Sequence, residues 1–222
     1  MKKFAIAALL VLTISCCFGW SFNGVDQKKI MSYRPAPGRF ALTVAFQLTM
    51  PARVLTPGYR KGHVFYPLVI NAGKTGKDTV SKIQLAFVTK PYDRYCFASI
   101  TPGGRYNIAW INDGGEIPTD KPVWVFISAA AGGIFEARIN GRNFSHVRTP
   151  GLMPLVQSAP EYKICLGYNP YRGGVGYTEC EINNFMLFER VLSSEEMAAI
   201  EADPAVAATI PGRVKKLTEK KK

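Results

Sequence analysis

Apolar positions along this chain recur with a period of two. Phe40, Leu42, Val44, Phe46 and Leu48 alternate with Ala41, Thr43, Ala45 and Gln47. Ile83, Leu85 and Phe87 repeat the pattern, and Tyr106, Ile108 and Trp110 do so again. Successive side chains of a strand point to opposite faces, so each run predicts a strand with one face in a core. The stretch from Val123 to Ser128 is almost continuously apolar and predicts a strand buried on both faces. Gly, Pro, Asn and Asp bound these runs, which is the pattern of a sandwich or barrel. Asn140-Gly141 accepts the positive φ angles of a two-residue turn, so Ile134–Asn140 and Arg142–Val147 predict a hairpin. A second hairpin is expected between Tyr162–Tyr168 and Cys180–Phe188, across a Gly- and Tyr-rich loop. In that pairing Cys165 and Cys180 lie on neighbouring strands or their ends, where a disulfide is geometrically feasible. One helix is expected, near the C-terminus. Ser193 and Glu196 form a capping box, Leu192 staples onto Met197, and Pro204 ends it.

The first twenty residues read differently. Lys2 and Lys3 precede an apolar run from Phe4 to Ser15, then Cys16, Cys17 and Gly19. This predicts a secretory signal peptide over residues 1–19, too short for a comfortable membrane span. Ile14-Ser15-Cys16-Cys17 also approximates a lipidation site, which leaves lipoprotein anchoring open. Thr13, three residues before Cys16, fits it poorly. Residues 20–37 are polar and turn-rich and read as a leader, 38–204 as the domain, and 205–222 as a basic tail. Of a net charge of +12, two units belong to Lys2 and Lys3. The tail sets six basic residues (Arg213, Lys215, Lys216, Lys220, Lys221 and Lys222) against Glu219, a net of +5. Such a tail stays solvated or attaches to an anionic surface. No motif supports specific nucleic-acid recognition, and no later segment predicts a transmembrane span.

Three segments together resemble the LamG-like jelly-roll family, which has the concanavalin A-like sandwich fold. They are Lys121-Pro-Val-Trp-Val-Phe-Ile127, built on Trp124; Phe135-Glu-Ala-Arg-Ile-Asn-Gly-Arg142; and Ile164-Cys-Leu-Gly-Tyr168 followed by Ile182-Asn-Asn-Phe-Met-Leu-Phe-Glu-Arg-Val-Leu-Ser-Ser-Glu-Glu-Met197. The resemblance implies an all-β, two-sheet antiparallel jelly-roll sandwich with one short C-terminal helix. Phe185 and Leu187 would point into it, and Leu192 and Met197 would cover its end. It further implies rim loops that bind glycans, sulfated polymers, proteins or calcium, although fold alone does not fix function.

Candidate chemistry is sparse. Concanavalin-like sandwiches also include glycosidases, whose retaining mechanism needs two carboxyl groups about 5 Å apart. The nearest approach is Glu179-Cys-Glu181-Ile-Asn-Asn184, with Asn184 where an acid/base would be needed. His63 and His146 are far apart and have no metal-ligand spacing. No cofactor is expected. For calcium the candidate is Asn112-Asp113-Gly-Gly-Glu116, which is also an ordinary turn. Sugars are held by aromatic faces and planar polar groups. The loop from Tyr168 to Tyr177 supplies these as Tyr168, Asn169, Tyr171, Arg172 and Tyr177, and a second aromatic cluster is Tyr92-Asp-Arg-Tyr95. The leading expectation is an exported, non-catalytic module that recognises glycan or an extracellular protein through rim loops. It would be secreted, periplasmic or on the cell surface. One alternative is a structural cell-envelope protein attached through its basic tail; another is a divergent glycoside hydrolase using Glu179 and Glu181.

Overall fold

The structure, a computed structural model, describes residues 19–35, 41–55, 64–75, 79–89, 94–101, 109–111, 118–130, 134–143, 161–170, 177–215 and 217–219. Two antiparallel sheets pack face to face. The first four strands are β1 (Trp20–Asn23), β2 (Lys29–Tyr33), β3 (Ala41–Thr49) and β4 (Val64–Thr75). There follow β5 (Thr79–Thr89), β6 (Arg94–Thr101), β7 (Ala109–Ile111), β8 (Val123–Ala130) and β9 (Ile134–Ile139). The last are β10 (Arg142–Asn143), β11 (Tyr162–Leu166), β12 (Glu179–Phe188) and β13 (Thr218–Glu219). One sheet runs β1-β12-β3-β8-β9-β10, the other β13-β2-β11-β4-β5-β6-β7. This is the all-β sandwich that the alternation predicts.

Leu42, Val44, Phe46 and Leu48 of β3 and Ile83 and Leu85 of β5 lie between the sheets, as the period-two reading predicts, and Tyr162, Ile164 and Leu166 of β11 meet them there. Phe40, Tyr106 and Ile108 lie outside the described residues. Asn140 (φ 52°) and Gly141 (φ 76°) form the predicted tight turn between β9 and β10. Every residue of β8 is buried, for a reason the apolar run anticipates. Val123, Val125 and Ile127 face the sandwich core, while Trp124 and Phe126 face the other way, under the helix.

That helix, α1 (Ser194–Ala202), has the expected capping box. Glu196 N–H donates to Ser193 Oγ (3.3 Å), and Ser193 N–H donates to Glu196 Oε2 (2.9 Å). Phe185 and Leu187 pack toward the inner core as expected. Leu192 and Met197 instead join Trp124, Phe126, Met186 and Phe188 in a second cluster on the outer face of the six-stranded sheet. They seal a face of the sandwich, not its end. Among the described residues no helix is long and apolar enough to cross a membrane.

Three further expectations are corrected. Residues 20–37 are not merely a leader: β1 pairs with β12 and β2 with β11, so this segment supplies a strand to each sheet. Phe22, Met31 and Tyr33 point inward, and these inward positions are too few and too scattered for the segment to read as anything but polar. Nor is the end of the chain wholly a solvated tail. A 3-10 turn over Pro204–Ala208 buries Ala207, β13 pairs with β2, and Lys29 pairs with Glu219. The expected signal segment, through residue 18, lies outside the described residues.

The third correction concerns the second hairpin and its disulfide. β11 belongs to the seven-stranded sheet and β12 to the six-stranded one, so the connection crosses between sheets. Cys180 points into the core, whereas Cys165 alternates with the inward Ile164 and Leu166 and faces outward. Both are buried free thiols. Burial raises the Cys165 thiol to about 11, although the Lys163 and Lys28 charges lower it. Burial also pushes Cys180 up, and Glu179 and Glu181 add to the shift. Only a thiolate reacts readily with alkylating agents. The native chain at about pH 8 is therefore expected to leave both cysteines unmodified, while unfolding without reductant makes both reactive. A Cys165–Cys180 cross-linked peptide in unreduced digests would contradict this.

Candidate functional site

The Gly- and Tyr-rich loop is clipped at its base to β4. The β4–β5 register shifts between Phe65 and Leu68, and Pro67, which lacks an N–H, lies in this irregular stretch. The loop satisfies the backbone there. Gly167 N–H donates to Pro67 O (2.9 Å), and Tyr66 N–H donates to Thr178 Oγ1 (2.7 Å). Thr178 N–H closes the base by donating to Gly167 O (2.8 Å). Gly167 has φ 65°, and a Cβ there would lie 2.5 Å from Phe22 Cγ. Both the backbone angle and the close approach call for glycine.

Above this base Tyr168 and Tyr177 face each other as an isolated antiparallel bridge. Their rings are tilted by 35° with centroids 4.5 Å apart. Lys28, between β1 and β2, reaches across with Nζ 4.6 Å from the Tyr168 centroid and 5.6 Å from that of Tyr177. It also donates to Tyr177 Oη at 3.3 Å. All three side chains are half-buried. A cation over aromatic faces is held by the ring quadrupoles. Among the described residues Lys28 has no carboxylate partner. By contrast Lys29 pairs with Glu219, Arg53 with Glu179, Arg138 with Glu201, and Arg190 with Glu196. The cluster thus offers two aromatic rings and an ammonium that, among the described residues, pairs with no carboxylate.

The structure therefore brings Tyr168 and Tyr177 together. Asn169 is fully buried, so it belongs to the base of the loop and not to an exposed rim. Tyr171, Arg172, the Tyr92–Tyr95 cluster and the Asn112–Glu116 calcium candidate lie outside the described residues. Among the described residues no group of three or more His, Cys, Asp or Glu gathers as metal ligands. Sequence reasoning missed Lys28. It is remote along the chain and has no motif; its only signal is a basic pair in an otherwise polar segment.

Glu179 and Glu181 do share the outer face of β12, because Cys180 and Ile182 between and beyond them point into the core. Glu179 is held by the Arg53 guanidinium, whose Nε lies 3.1 Å and 3.3 Å from its two oxygens. Glu181 is exposed. Asn184 sits at a bulge with φ 51° and donates to Gln47 Oε1 at 2.8 Å. The third position is thus an amide committed to a neighbour.

No protein-family model matches the chain, and no curated protein matches it in sequence. Solved structures do match it in shape. The receptor binding domain of botulinum neurotoxin D superposes with a TM-score of 0.60 at 13% identity, over 84% of this chain and 44% of that one. The CBM40 of a Ruminococcus gnavus IT-sialidase, bound to α2,3 sialyllactose, gives 0.52 at 10% identity, over 80% of this chain and 99% of the other. A Trypanosoma rangeli sialidase in complex with 2,3-difluorosialic acid gives 0.55 at 13% identity, over 82% of this chain and 27% of that one. At such low identities the likeness establishes a fold, and the fold is the lectin-like jelly-roll sandwich.

Proposed function

We propose that this chain is an exported, non-catalytic binding module of the LamG-like class, which recognises glycan through the rim loop spanning Tyr168 to Tyr177. The observation that carries the reading is the Tyr168–Tyr177 pair with the Lys28 ammonium lying over it. Aromatic surface and a fixed polar group are the two elements a sugar ring needs, because it offers apolar C–H patches edged by hydroxyls. Tyr171 and Arg172 extend the same loop and belong to the proposed site. Binding-domain neighbours support the reading as analogy alone.

The test is a glycan array probed with the full chain at low and then high salt. Selective binding that survives salt is expected. Tyr168→Ala is expected to reduce it at least about tenfold, the scale of one aromatic contact together with its cation. Lys28→Gln is expected to weaken it with the fold intact. Binding that ignores both substitutions, or the absence of any glycan ligand, would refute the site. Binding confined to acidic glycans and lost in high salt would instead favour attachment through the basic residues near the C-terminus.

A further inference from the structure

The sequence contains Asn-Gly twice, as Asn23-Gly24 and Asn140-Gly141. In this dipeptide the backbone nitrogen of glycine can attack the asparagine side-chain amide, because glycine has no Cβ to shield that nitrogen or restrict its rotation. Both sites are turns in which the glycine has a positive φ, 70° at Gly24 and 76° at Gly141. The fold holds their asparagines in opposite ways.

Asn23 is locked. Its Oδ1 accepts from Val25 N–H (2.9 Å), Asp26 N–H (3.2 Å) and Gln27 N–H (3.3 Å), and its Nδ2 donates to Asp26 Oδ1 (2.8 Å). Gly24 is packed as well. A Cβ there would lie 2.8 Å from Glu179 N and 3.0 Å from Glu179 Cβ, so this peptide has little room to turn. Asn140, by contrast, is exposed, and its side-chain amide has no hydrogen-bond partner among the described residues. A Cβ on Gly141 would meet nothing within 4 Å. The hairpin closes on the Ile139–Arg142 pair, which leaves Gly141 N–H outside the ladder, while Asn140 N–H donates to Trp124 O at 2.9 Å. Attack requires the Asn140–Gly141 peptide plane to swing, and the open space around Gly141 permits this while the base of the hairpin stays anchored.

We propose that Asn140 is a site of spontaneous covalent modification, with water as the co-reactant, and that Asn23 is spared. Gly141 N gives its proton to water as it forms a bond to Asn140 Cγ. The Cγ–Nδ2 bond breaks, and the amide group takes a proton from water and leaves as ammonia. One water molecule then opens the succinimide ring that remains. Opening at the backbone carbonyl gives isoaspartate; opening at the side-chain carbonyl gives aspartate. Either product puts a carboxylate on the hairpin tip. Isoaspartate also routes the main chain through the side-chain methylene. That lengthens a two-residue turn and frees β10, the edge strand of its sheet, from β9. The site is separate from the Tyr168–Tyr177 loop and does not depend on the glycan reading.

The experiment incubates the full chain in neutral buffer, folded and in urea, and follows both Asn-Gly peptides by mass spectrometry with isoaspartyl methyltransferase labelling. In the folded chain the Asn140 peptide is expected to convert to isoaspartate and aspartate. The Asn23 peptide is expected to react at least about tenfold more slowly, because several hydrogen bonds must break before attack. In urea the two sites are expected to react at comparable rates, which assigns the difference to the fold. Asn140→Gln, which would have to close a larger and less favoured ring, is expected to abolish isoaspartate at this position. Conversion is also expected to remove hydrogen-exchange protection from the β9–β10 ladder. The proposal is overturned if Asn140 stays intact in the folded chain over the time in which it converts in urea. Asn23 reacting as fast as Asn140 in the folded chain, or the same gap between them persisting in urea, would overturn it as well.

Discussion

Phe126→Ala is expected to lower the unfolding free energy by about 3–5 kcal/mol, the scale for deleting a fully buried aromatic side chain. Phe126 is 0% exposed even though it points away from the main core. It stacks on Trp124 with centroids 5.6 Å apart and supports Met197 and Ile200 of α1. A helix of nine residues is marginal by itself, so α1 depends on this packing more than on its cap. The substitution is therefore expected to undock α1 and to expose the outer face of β8 and β12. Urea unfolding followed by both far- and near-UV circular dichroism checks this. A loss below about 1 kcal/mol would mean that the helix does not seal that face.

The second large effect falls on the loop base. Gly167→Val is expected to cost about 2–5 kcal/mol, combining a side chain forced into the left-handed region with overpacking against Phe22. The φ of 65° and the 2.5 Å approach to Phe22 Cγ act independently, so they can be separated. In a double-mutant cycle, Phe22→Ala is expected to relieve the steric part and leave the backbone part. Additive losses in the cycle would show that Phe22 does not set the limit at Gly167. Because Gly167 and Thr178 clip the loop to β4, Gly167→Val is also expected to weaken any ligand held by Tyr168 and Tyr177.

Local periodicity revealed the parts of this fold that are set locally. The β8 run, the Asn140-Gly141 turn and the Ser193–Glu196 cap each depend on residues close in sequence, and each stands as read. The sheet to which a strand belongs depends on long-range pairing, and alternation is the same in either sheet. For that reason β11 and β12 read as a hairpin, and Cys165 and Cys180 as partners, although the chain changes sheets between them. Trp20, Phe22, Met31 and Tyr33 carried a true strand signal, but over runs too short to stand out from turn-rich surroundings. The same limit applies to the candidate site. Tyr168 and Tyr177 were legible as a loop rich in aromatics, whereas Lys28 joins them only through tertiary structure.

The pairing of the opening strands bears on how fast the chain can fold. Trp20 lies opposite Ile182 and Tyr33 opposite Tyr162, so each sheet contains a ladder that joins distant parts of the chain. Loop-closure entropy must be overcome before such contacts contribute, which places folds of this kind in the range of about milliseconds to seconds. Until those ladders close, β12 and β11 each lack a neighbour. The interval before β1 and β2 dock is thus when unpaired edges are most open to pairing with another copy of the chain.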